Sequence, residues 1–92
     1  MGHSAQIGAM ITPAQCRAAR ALLDWSQLQL SERAGVGIVT VRQLEAGLHR
    51  PRRSTAVVIE RALQDAGIEF IDENGGGPGV RLAKLRKERP RK

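Results

Sequence analysis

Two adjacent side chains, Arg42 and Gln43, carry the most specific chemistry in the sequence. A glutamine amide can pair bidentately with the N6/N7 edge of adenine, and an arginine reaches either a guanine edge or a phosphate. Ile38 and Val39, one helical turn earlier, can offer only apolar contact, which on a base edge means the methyl group of thymine. Thr40 can donate to a phosphate. Further on, His49, Arg50, Arg52 and Arg53 form a basic loop suited to clamping phosphates. The competing reading gives Arg42 and Gln43 a solvated helix face and the loop a solubilising role. What precedes them decides between the two.

That preceding stretch is SQLQLSERAGVGIVTVRQLEAG, from Ser26 to Gly47. Ser26 and Gln29 form an S-x-x-Q capping box, and Leu30 and Ala34 follow at helical spacing. Gly35 stops this helix because a left-handed terminal residue without a Cβ meets no clash. A second helix over about residues 38–46 turns Val41 and Leu44 inward and ends at Gly47. Two helices joined by a short Gly-containing turn form a helix-turn-helix, which can lay its second helix in a DNA major groove. Gln27, in the first turn of the first of these helices, lies where a helix N-terminus and its N–H groups favour a phosphate. Glu45 is expected to be structural and paired with a nearby arginine, since a carboxylate aimed at DNA would repel it.

The flanking elements must hold this pair. Thr12-Pro13-Ala14-Gln15 is a helix start, with Thr12 as cap, Pro13 at the first position and Gln15 closing the box. The helix runs to about Asp24, with Cys16, Ala19, Leu22 and Leu23 along one side. Cys16 reads as a small buried hydrophobe, and Trp25 as the side chain that staples this helix to the next. After the break at Pro51, Ser54 or Thr55 is expected to cap a fourth helix. Its apolar stripe is Ala56, Ile59, Leu63 and Ala66, and Gly67 ends it.

Beyond Gly67 the period shortens to two. Ile68-Glu69-Phe70-Ile71 and Val80-Arg81-Leu82-Ala83 read as short strands around a Gly-rich loop. An isolated two-stranded hairpin is marginal in water, so these strands must pack on the helices or pair with those of a second subunit. The fold class is therefore mainly α: a compact four-helix helix-turn-helix domain followed by two short C-terminal β-strands. Its expected segments are a flexible extension over 1–10, the domain over 11–67, the strands over 68–84 as a possible dimerisation element, and a basic flexible tail over 85–92.

Composition narrows the function classes. Ninety-two residues make one domain with a modest core, and an aromatic content of 2 % leaves that core to Leu, Ile, Val and Ala. The net charge of +6 and a pI near 11.1 point to a polyanionic partner. The excess is uneven, with eight Lys/Arg against six Asp/Glu over 10–71 and seven against three over 72–92. One cysteine excludes an internal disulfide and suits a reducing cytoplasm. No stretch reaches the length of a membrane span, and MGHSAQIGAM lacks the basic start and apolar core of a secretory leader.

Nothing suggests an enzyme. There is no Ser/His/Asp set and no C-x-x-C, and the isolated His3 and His49 have no metal-ligand spacing. The GGGPG segment leads into a strand rather than a helix, which argues against a phosphate cradle. Asp72-Glu73-Asn74 matches only part of a calcium loop. No metal, cofactor, small-molecule ligand or membrane partner is expected.

Ser26-Gln27, Leu30, Ala34-Gly35-Val36, Thr40-Val41, Leu44-Glu45-Ala46-Gly47 and Pro51 together resemble the Cro/phage-repressor (XRE-type) helix-turn-helix family over about residues 11–67. The resemblance implies DNA contacts at Gln27, Ile38, Val39, Thr40, Arg42 and Gln43, with help from His49 and Arg50 in the loop. Two departures from the family pattern stand out. Gly37 stands where a Ser or Thr usually caps the reading helix, and apolar Ile38-Val39 stand where polar base readers are common.

Together with these features, the resemblance implies a cytoplasmic bacterial transcription regulator, a repressor acting as a homodimer on an inverted repeat of double-stranded DNA. One monomer reads too few base pairs for genomic specificity, and a dimer sets two reading helices about 34 Å apart. Ile68, Phe70, Ile71, Val80 and Leu82 are the candidate dimer contacts, because apolar strand edges invite pairing. The alternative is a protein-interaction module on the same fold, antitoxin-like or an antiactivator. The apolar Ile38-Val39 pair and Leu28 at a usually polar position motivate it.

Overall fold

The computed structural model describes residues 10–48, 50–72 and 76–83. Four helices, α1 (Pro13–Leu23), α2 (Gln27–Ala34), α3 (Ile38–Ala46) and α4 (Arg53–Asp65), precede two strands, β1 (Ile68–Ile71) and β2 (Gly79–Leu82).

The first two helix starts follow their local sequence. In α1 the Thr12 hydroxyl accepts from the Gln15 N–H while the Gln15 side chain accepts from the Thr12 N–H, both at 3.0 Å. In α2 Ser26 and Gln29 repeat the exchange at 3.0 and 2.8 Å. Each box satisfies two helix-start donors that would otherwise lack partners. Gly35, with φ at +74°, ends α2, and Gly47 at +71° ends α3. Both occupy the left-handed region where a side chain is strained.

Two helix expectations need correction. Neither Ser54 nor Thr55 caps α4. Arg52 is the N-cap, in extended conformation and without a side-chain cap bond, so both hydroxyl residues fall inside the first turn. Pro51 fixes its own φ but places no constraint on the backbone two residues later, and the helix begins at once. Leu22, expected on the buried side of α1, is 43 % exposed. At 100° per residue it lies roughly 120° around the helix from Cys16, outside the stripe that Cys16, Ala19 and Leu23 define.

The core gathers Ile11, Cys16, Ala19, Leu30, Val41, Leu44, Ala56, Ile59, Ala62, Leu63 and Ile68. Every helix contributes, and no aromatic lies at its centre. Trp25 packs against this core from the α1–α2 corner, with the Arg33 guanidinium 4.7 Å above its ring. Val36, between the two glycines of the turn, also packs inward.

The strands form an antiparallel hairpin within the chain, with Ile68 opposite Leu82 and Phe70 opposite Val80. The Ala83 N–H donates to the Gly67 carbonyl at 2.7 Å, which carries the ladder one residue past the strands. Because bonded pairs alternate, the main-chain groups of Ile68, Phe70, Val80 and Leu82 point to the two outer edges of the sheet. Ile68 is 3 % exposed and sealed in the chain's own core, and Phe70 and Val80 pack partly buried against it, so among the candidate dimer contacts Leu82 is the one left exposed. Gln15 holds the other end, its Nε2 donating to the Gly79 carbonyl at 3.0 Å and more weakly to that of Ile71 at 3.5 Å. One side chain thus closes the α1 cap and latches the hairpin to it.

Candidate nucleic-acid interface

Three residues fix α3 from beneath. Val41, Leu44 and Glu45 are all buried, the last at 4 % exposure. The Arg20 guanidinium meets the Glu45 carboxylate in a two-point contact, Nε to Oε2 at 2.7 Å and an η-nitrogen to Oε1 at 2.8 Å. Gln27 Nε2 donates to the same Oε1 at 3.0 Å, and the Cys16 thiol donates to Oε2 at 3.1 Å. Arg17 adds a bond to the Glu45 main-chain carbonyl at 2.6 Å. Side chains of α1 and α2 therefore converge on one carboxylate of α3.

The ionisation states follow from this environment. Burial alone would raise the Glu45 carboxyl, but the hydrogen bonds from Arg20, Gln27 and Cys16, with the Arg20 charge, outweigh it and hold the group below its ordinary value. Glu45 in turn raises Arg20. Burial, then the Glu45 contact, pushes the Cys16 thiol far up, so it stays protonated as a donor. The expectation that Glu45 pairs with a nearby arginine is met by Arg20. The roles of Cys16 and Gln27 around it were not foreseen, because no local spacing relates them.

With its inner side fixed, α3 turns the rest outward. Arg42 and Gln43 are exposed, and neither side chain has a partner among the described residues. Val39 is 57 % exposed, and Ile38 is half-buried at the helix start. Gly37 caps α3 with main chain alone, and a Cβ added there would meet nothing within 4 Å.

Beside α3 the α3–α4 loop closes a shallow cavity of about 240 Å³, lined by Thr40, Gln43, Leu44, Arg50, Pro51, Arg52 and Thr55. Residues with separate expected roles thus share one concavity: a candidate base reader in Gln43, a candidate phosphate hydroxyl in Thr40 and two loop arginines. Arg53 opens α4 as its first residue. His49 lies outside the described residues. Gln27 is bound differently from expectation, since one of its amide hydrogens is committed to Glu45. Its main-chain N–H, at the first position of α2, has no intrahelical acceptor and remains suited to an anion.

Among the described residues no cluster of His, Cys, Asp and Glu could hold a metal ion, and no helix is long and apolar enough to cross a membrane.

Comparison with curated proteins returns no match. The family model for the helix-turn-helix matches residues 17–69, more than half of the chain, from within α1 through the start of the hairpin. With α2 and α3 joined at the Gly35 turn and α3 presenting an unpartnered outer face, the chain belongs to the Cro/phage-repressor (XRE-type) helix-turn-helix family of DNA-binding regulators.

Proposed function

We propose that this protein is a sequence-specific transcriptional regulator, a repressor that binds an inverted repeat as a homodimer in the bacterial cytoplasm. The observation that carries the reading is the division of α3. Val41, Leu44 and Glu45 face inward, while Arg42 and Gln43 stand exposed beside a concavity that Arg50 and Arg52 border. That arrangement suits a helix lying in the major groove with loop arginines on the flanking phosphates. Gln43 and Arg42 are assigned to base edges with Ile38 and Val39. Thr40, Arg50, Arg52, Arg53, His49 and the Gln27 main chain are assigned to phosphates.

Dimerisation is assigned to the hairpin. Its outer edges carry the main-chain groups of Phe70, Val80 and Leu82, and Leu82 is 51 % exposed. Edge strands of this kind pair readily with another copy.

The test is fluorescence anisotropy with DNA from the protein's own promoter over a range of salt, with sedimentation of the free protein at tens of micromolar. Tight binding that weakens steeply with salt, by a protein sedimenting as a dimer, supports the reading. A monomer under those conditions would refute the dimer clause alone.

A second reading rests on the exposure of Leu28 at 52 % and Val39 at 57 %, two apolar side chains on the helix-turn-helix. Under it the domain binds a partner protein, as an antitoxin-like protein or antiactivator does. Salt-independent or absent DNA binding, with a tight protein partner recovered instead, would favour this alternative.

A further inference from the structure

The start of α3 has an unusual chemical composition for a surface meant to recognise bases. Gly37 contributes no side chain, Ile38 is half-buried, and Val39 projects with 57 % of its surface exposed. No hydroxyl, amide or charge stands at these three positions. The polar readers, Arg42 and Gln43, come one turn later, and the arginines bordering the adjoining cavity, Arg50 and Arg52, come later still in the chain. In the major groove an apolar side chain can gain from one feature of a base edge, the methyl group at pyrimidine C5. Both side chains are β-branched and confined to one main rotamer in a helix, so they present a rigid surface to such a group.

We infer that Ile38 and Val39 make binding depend on the C5-methyl groups of pyrimidines, so that affinity responds to the covalent state of that carbon. Thymine and 5-methylcytosine carry the methyl group in the same place; uracil and cytosine lack it. The bound DNA is then distinguished by methylation at C5 as well as by base sequence. This inference rests on the major-groove role proposed for α3.

The probe is a duplex selected by the protein from a random pool, then resynthesised with deoxyuridine in place of thymidine. Uracil keeps the pairing edge and the O4 acceptor and removes the methyl alone. The expected loss is about fourfold in affinity for each contacted methyl, the value of one buried methylene-sized group. At a responsive position, exchanging the T·A pair for C·G should weaken binding, and 5-methylcytosine should restore part of it.

Val39→Ala removes the contact at an exposed site and should shrink the uracil penalty, with helix content unchanged by circular dichroism. Val39→Thr keeps a γ-methyl and should retain most of it. Selective, salt-dependent binding that is indifferent to uracil overturns this inference and leaves the major-groove role intact. A uracil penalty of unchanged size in Val39→Ala also overturns it, since the methyl would then act through DNA shape. Failure to select any duplex overturns both readings.

Discussion

The Arg20 guanidinium holds both oxygens of the Glu45 carboxylate, at 2.7 and 2.8 Å, with the Glu45 side chain 3 % exposed. This contact ties the first helix to the underside of the third. Removing one partner of a buried pair strands the other charge, which costs more than the pair itself contributes. Arg20→Met is therefore expected to destabilise the fold by about 3–5 kcal/mol in urea denaturation. Arg20→Met combined with Glu45→Leu should cost less than the single change, because no charge is left unpaired.

The same carboxylate sets an acid limit. Held below its ordinary pKa, Glu45 contributes stability that is present above the unfolded group's pKa and is lost as pH falls through the folded one. Unfolding free energy should therefore decline on acidification below the ordinary carboxylate range. Glu45→Gln, less stable at neutral pH, should show a shallower decline when denaturant midpoints are followed against pH.

Gln15 serves two elements, and its two roles can be separated by substitution. Gln15→Ala should cost about 1–2 kcal/mol, through the lost cap and the lost hairpin bonds. Gln15→Glu keeps an acceptor for the Thr12 N–H but sets a carboxylate against the carbonyls of Gly79 and Ile71. Hydrogen exchange should then quicken in the hairpin while the first turn of α1 stays protected.

Gly37 has a φ of −71°, which any residue adopts, and open space where a Cβ would stand. Gly37→Ser should add a cap bond worth a few tenths of a kcal/mol and restrict the unfolded chain. A gain of about 0.5–1 kcal/mol in thermal or urea unfolding is expected.

On DNA, Gln43 and Arg52 should separate base reading from phosphate binding. Gln43→Ala is expected to cost about 1–3 kcal/mol on the selected site and little on random duplex. Arg52→Ala should weaken both alike and reduce the salt slope by about one. Identical behaviour of the two variants would overturn the assignment.

How much of this was legible in the sequence depends on how local each feature is. The capping boxes of Thr12 with Gln15 and Ser26 with Gln29 lie within four residues each, the glycine stops at Gly35 and Gly47 are single positions, and all stand as expected. The inward positions Val41 and Leu44 follow from helical period alone. The Gln15–Gly79, Cys16–Glu45 and Gln27–Glu45 contacts span 64, 29 and 18 residues, and no periodicity links such partners. Hence the sequence shows the size of Cys16 but not the acceptor for its S–H, and places Gln27 at a helix N-terminus without showing that Glu45 holds its side-chain amide. Leu22 and the start of α4 differ for smaller reasons: Leu22 lies just outside the buried stripe of α1, and Arg52 caps α4 with no side-chain bond. The candidate interface is legible as a set of residue types, whereas the concavity that joins Gln43 to Arg50 and Arg52 exists only in the folded chain, where α3 and the residues before α4 line it together.

The way α3 is held has a consequence for how this protein can change. Its orientation is set by Val41, Leu44 and Glu45, and no hydrogen bond or ion pair among the described residues involves the side chains of Val39, Arg42 or Gln43. Substitutions at those three positions leave the anchoring network untouched, so under the base-reading role proposed for them operator preference and thermodynamic stability can drift independently. On that proposal the domain is a ready chassis for retargeting, in which a new binding site is written on three exposed positions without redesign of the core.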